Sequence, residues 1–81
     1  MTETEKMIQE MNSLFAAGGE TELAMPSQGE NLSELELLER VRKEYVKRLR
    51  RKIPKYRMLP SKLIPDMFLQ ALANREKELK R

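Results

Sequence analysis

The chain has 81 residues, with 16 Lys or Arg, 13 Asp or Glu, and no Cys, His or Trp. That length holds one small domain. The missing residue types exclude Cys/His zinc sites, Ser-His-Asp or Cys-His nucleophiles and any disulfide framework. The net charge of +3 conceals a split: residues 1–39 carry nine acids and one base, residues 40–81 fifteen bases and four acids.

Charged residues make up 36% of the chain and apolar residues 40%, with 5% aromatic. Such a composition supports only a small core. Six Met add adaptable contacts, and a protein partner or self-association is expected to supplement the core. No apolar run is long enough to span a bilayer. The first residues are acidic (Glu3, Glu5) and no signal-peptide core follows them. The expectation is therefore a cytoplasmic protein, or an intracellular one packaged in a virion.

The periodicity predicts an all-α fold: a small helical hairpin of two main helices, with a short N-terminal amphipathic helix on a flexible acidic linker. In residues 1–17, Thr2 and Glu5 form a capping box. Met7, Ile8, Met11, Leu14 and Phe15 then fall within an arc of roughly 120° at the helical period. Gly18 and Gly19 stop the helix. A helix this short is marginal alone, so its stripe needs a cover. That cover is either the rest of the chain or, in the sharper reading, another protein docked on those five side chains. Residues 18–31, with three Gly and Pro26, read as a mobile linker.

Residues 32–81 read as the basic hairpin. Ser33 and Glu36 form a second capping box, and Leu32 can staple onto Leu37. Acids at the start, bases at the end and the pairs Glu36–Arg40, Glu39–Lys43 and Glu44–Arg48 all favour a helix, which should end at Ile53 before Pro54. Leu38, Val41, Tyr45 and Leu49 form its core side, flanked by Leu35, Leu37, Val46 and Ile53. Arg40, Lys43, Lys47, Arg50 and Arg51 fall within roughly 100° opposite. Arg42, Arg48 and Lys52 lie at the apolar border, where long stems snorkel. Pro54 and Pro60 bracket an extended or turn connection with Lys55, Tyr56 and Arg57. A last helix is expected over residues 61–80, with Ser61 as a first cap and Pro65 at its first position. Ile64, Met67, Phe68, Ala71, Leu72 and Leu79 share its inner face.

No phosphate-binding glycine loop, EF-hand or carboxylate pair in an apolar setting occurs. The reading is non-enzymatic, without catalytic residues, metal, cofactor or small-molecule substrate. The strongest functional signal is the run of ten bases and one acid over residues 40–57. Cations on one helix face neutralise phosphates and release counterions, which favours nucleic acid, DNA or RNA. The expected contacts are Arg40, Lys43, Lys47, Arg48, Arg50, Arg51, Lys52, Lys55 and Arg57. Tyr56 either stacks on an unpaired base or plugs the turn. A helix-turn-helix variant fits less well, because the turn is long and lacks Gly.

The alternative is an assembly adaptor whose basic hairpin docks on an acidic protein surface. The acidic half followed by a basic helical half resembles, in layout alone, small phage or viral scaffolding and adaptor proteins. A membrane-surface or calmodulin-target helix ranks last, for lack of Trp. The acidic half could also fold over the basic half and inhibit it, in which case deleting residues 1–30 would tighten polyanion binding.

Overall fold

The computed structural model describes residues 2–19, 22–23 and 33–81. Among these the secondary structure is entirely helical, and the protein is all-α. The elements are α1 (Glu3–Ala16), α2 (Glu34–Lys52), two 3₁₀ turns (Pro54–Met58 and Ser61–Leu63) and α3 (Met67–Leu79). None of these helices is long and apolar enough to cross a membrane.

Both predicted N-termini form where the capping residues stand. Thr2 Oγ1 accepts from Glu5 N at 3.2 Å while Glu5 Oε1 accepts from Thr2 N at 3.1 Å, a complete box. The bond from Thr2 N, and a second from Thr2 Oγ1 at 3.0 Å, hold the Glu5 carboxyl below its ordinary value. At α2 only half of the expected box forms, with Ser33 Oγ accepting from Glu36 N at 3.2 Å. Leu32 and its staple lie outside the described residues. Helix α2 ends before Ile53, whose extended backbone is the conformation that a following proline imposes.

Two later expectations need correcting, while the bracketed connection takes its turn alternative. The bracketed connection is a 3₁₀ turn, with Pro54 as its first residue. Residues 61–63 form a separate 3₁₀ turn, and α3 starts only at Met67. Pro65 therefore precedes the helix instead of opening it. Asp66 is the cap, and its carboxylate accepts from Phe68 N at 2.9 Å and Leu69 N at 3.1 Å. This later start leaves Met67 91% exposed, while Leu69 takes the core position that the pattern had missed.

Helix α2 packs against both other helices and the first 3₁₀ turn. Contacts at its two ends give the directions. Thr4 near the start of α1 meets Glu34 at the start of α2, and Phe15 near the end of α1 meets Tyr45, so α1 and α2 run the same way. Arg75 late in α3 meets Glu34, and Phe68 early in α3 meets Tyr45, so α3 runs opposite. The result is a thin slab, 36 × 31 × 16 Å, little thicker than one helix of roughly 10–12 Å. The core joins Ile8, Met11 and Phe15 to Leu37, Leu38, Val41, Tyr45, Val46 and Leu49, and to Ile64, Leu69 and Leu72. Each such side chain contributes about 1.5–3 kcal/mol by leaving water, which is what holds a helix as short as α1.

Two junctions tie all three helices together. At one, Glu34 Oε1 accepts from Thr4 Oγ1 at 2.9 Å and from Arg75 Nη2 at 2.9 Å and Nε at 3.1 Å. Desolvation pushes the Glu34 carboxyl up, but bonds from Thr4 and Arg75 and the Arg75 charge outweigh it and hold the carboxyl below its ordinary value. At the other, Tyr45 lies between Phe15 (centroids 5.7 Å, edge-on) and Phe68 (4.5 Å). Its hydroxyl donates to Asp66 at 2.9 Å. Burial, then the bond to Asp66 and its charge, push the Tyr45 phenol far above its ordinary value.

A part of the expected linker is held in place. Asn12 pairs with the backbone of Leu23 on both sides, Nδ2 to Leu23 O at 3.1 Å and Leu23 N to Oδ1 at 2.9 Å. Gly19 closes α1 with φ of +76°, where a side chain would be strained. Residues 24–31 of the linker lie outside the described residues.

Candidate functional site

The cations of α2 divide by where the neighbouring helices lie. Helix α1 approaches the side of Tyr45, Arg48 and Lys52, while α3 approaches the side of Arg42. The remaining arc carries Arg40, Lys43, Lys47 and Arg51, all exposed. Lys43 meets Glu39 at 3.4 Å, an exposed i,i+4 pair worth about 0.3–0.5 kcal/mol, too little to keep Lys43 from a phosphate.

Arg48 is placed differently. It is 4% exposed, its Nε donates to Glu44 at 3.1 Å, and its guanidinium lies 5.6 Å from the Phe15 ring centroid. It belongs to the α1–α2 packing and not to the exposed grip. The Lys52 ammonium lies 5.8 Å from the same ring centroid while remaining exposed.

Arg50 and Arg57 hold the chain reversal after α2. Arg50 Nη2 donates to Leu59 O at 3.0 Å, and Arg57 Nε donates to Arg50 O at 3.1 Å. The second bond satisfies a carbonyl in the last turn of α2, which no helical N–H can reach. Arg57 stays exposed, and Arg50 is half-buried. Tyr56 is half-buried against the core with the Lys55 ammonium 5.7 Å from its ring centroid, the turn-plug arrangement. Lys55 itself is exposed.

The reversal folds back beside α2 and leaves a concavity of about 430 Å³, lined by Arg42, Lys43, Val46, Lys47, Arg50 and Ser61. Sequence reasoning left Arg42 at the apolar border and did not select it. Its position four residues before Val46 and eight before Arg50 was the available signal, since those three share one side of a helix. Ser61 could not be selected, because only the 3₁₀ turns bring it back to α2.

The side chains singled out for protein docking have mixed positions. Ile8, Met11 and Phe15 are buried in the chain's own core, and Met7 is half-buried against it. Leu14 is 55% exposed. The chain itself is thus the cover for most of that stripe, and Thr4 belongs to the buried side as well. Among the described residues, no three acidic side chains gather as a metal site would need. Comparison with protein-family models, with curated proteins and with solved structures finds no match for this chain.

Proposed function

We propose that this protein is a non-enzymatic nucleic-acid-binding module that grips phosphates through the exposed face of α2. The observation that carries the reading is the separation of duties around that helix. Its apolar side is used by α1 and α3, while Arg40, Lys43, Lys47 and Arg51 face outward beside the cationic concavity. Cations on a rigid helix keep their spacing, so several phosphates can be neutralised together. Lys52, Lys55 and Arg57 continue the charge past the end of α2. Such a module works wherever nucleic acid is at hand, in the cytoplasm or in a virion.

The test is purification without nuclease, then salt titration of binding to a labelled duplex and a labelled single strand. The protein has two Tyr and no Trp, so nucleic acid carried through purification is plain at 260 nm. The logarithm of the binding constant should fall steeply and linearly with the logarithm of salt. The double variant Lys43→Glu, Lys47→Glu should lower that slope by about two and keep its helical circular dichroism. Clean absorbance with no binding at low salt, or an unchanged slope in the variant, would refute the reading.

A second reading rests on Met58, Leu63 and Met67, which are large, apolar and exposed along the connection into α3. Beside basic residues they suit docking on an acidic protein surface with an apolar centre. That complex would be salt-sensitive but indifferent to nuclease.

A further inference from the structure

The concavity beside α2 has a composition that a merely solvated helix face does not require. Four of its six lining residues are cationic and none is acidic. Its neighbours differ: the hollow shared by Ser61 and Lys62 includes Asp66, and the one near the end of α3 includes Glu39 and Glu76. Like charges around a hollow repel one another, and a bound anion reverses the sign of that energy.

The fold also positions two of the four cations. Arg42 is half-buried where α3 meets α2, close enough to Glu76 to help depress its carboxyl after the larger effect of the Lys80 bond. Arg50 is tethered through Leu59 O, and its Nε is buried without an acceptor. Guanidinium groups held in this way offer paired donors that match phosphate oxygens. Lys43 and Lys47 add mobile point charges, Ser61 a hydroxyl, and Val46 an apolar floor. A volume of about 430 Å³ lies in the range of discrete ligand sites. A helix laid across duplex phosphates needs no hollow.

We propose that this concavity is a discrete phosphate seat, taking one phosphate group between Arg42, Lys43, Lys47, Arg50 and Ser61. The proposal deepens the nucleic-acid reading and rests on it for the source of the phosphate, a strand backbone. Free inorganic phosphates carry the same chemistry and serve as the probe.

The experiment follows the backbone amides of the full-length protein by NMR during titration with inorganic pyrophosphate at constant ionic strength. The expected result is a saturable shift centred on Val46 and Ser61. Pyrophosphate should then displace a labelled single strand. Lys47→Gln and Arg42→Gln should each weaken pyrophosphate binding about fivefold, the worth of one surface charge contact. Lys77→Gln, exposed on α3 outside the hollow, should leave it unchanged. Lys47 is exposed, so its variant remains informative if the Arg42 variant is unstable. Shifts that grow without saturation, or equal weakening by Lys47→Gln and Lys77→Gln, would overturn the seat. Saturable pyrophosphate binding without any strand binding would uphold the seat and refute the nucleic-acid reading. Strand binding that pyrophosphate never displaces would do the reverse.

Discussion

Glu34 offers the sharpest test of the architecture, because one carboxylate oxygen joins three helices. Thr4 is 0% exposed, so its hydroxyl has no water to replace Glu34 as acceptor. Substituting Glu34→Ala strands that hydroxyl at a cost of about 1–3 kcal/mol. Glu34→Gln keeps a carbonyl oxygen within reach and spares most of this cost. The two variants should therefore differ by about 1–3 kcal/mol in urea unfolding followed by circular dichroism at 222 nm, a melting difference of roughly 4–8 °C per kcal/mol for a domain of this size. A second background isolates the contact. With Thr4→Val no hydroxyl remains to be stranded, and the extra cost of Glu34→Ala over Glu34→Gln should shrink to what the Arg75 bonds contribute. Equal stability of the two Glu34 variants in the wild-type background would refute the assignment. So would a difference that Thr4→Val leaves undiminished. Acidification gives a second readout. The folded-state carboxyl lies below its ordinary value of 4.5. The stability it contributes is then present above that value and is lost as pH falls through the depressed one. The gap between wild type and Glu34→Gln should close over that acid range.

Other perturbations follow from the same contacts. Phe15→Ala removes the ring beneath Arg48 and beside Tyr45, and unfolding should show a loss of about 3–5 kcal/mol. Tyr45→Phe deletes the hydroxyl bond to Asp66 and should cost about 1.5–3 kcal/mol, as for bonds to charged groups. In alkaline absorbance titration, Tyr45 should ionise well above the ordinary value of 10.0, and the Phe variant should abolish that late step. Because the folded-state phenol is raised, its share of stability is present below 10 and lost as pH climbs towards the folded value. Asp66→Ala removes the α3 cap and the acceptor for Tyr45 together, and should be less stable than Asp66→Asn by about 1 kcal/mol or more.

Helix α2 was legible almost to the residue because its cap, its apolar stripe and the proline after it agree on one answer. Helix α3 was less so. Ser61 and Pro65 both offered starts, yet the start belongs to Asp66, whose carboxylate serves the helix and Tyr45 at once. That second partner is 21 residues away, and local pattern does not reveal it. The same holds for Glu34, which reads locally as an acid at a helix N-terminus. Its role comes from Thr4 and Arg75, which are 30 and 41 residues distant. The basic stripe was legible as an angle on a helical wheel. The wheel does not say which flank a neighbour covers. Arg42 and Arg48 sit at opposite borders of the apolar stripe; Phe15 covered one, and the other opened onto the concavity.

Parallel packing of α1 on α2 also bears on how the acidic half can act on the basic half. A sheath of acid over the stripe would need α1 on the Lys43 and Lys47 side. Instead its Phe15 lies against Tyr45, Arg48 and Lys52. Deleting residues 1–30 would remove Ile8, Met11 and Phe15 from the core as well as the acids, and weaker binding after that deletion would report unfolding. Charge alone is tested by Glu3→Gln with Glu10→Gln, since both residues are exposed on α1. Phe15 holds α1 on the Tyr45 and Arg48 side of α2, and salt screens exposed charges, so polyanion affinity should change less than twofold. Tightening by tenfold would mean that the acids of α1 do reach the stripe, and that α1 leaves the core to do so.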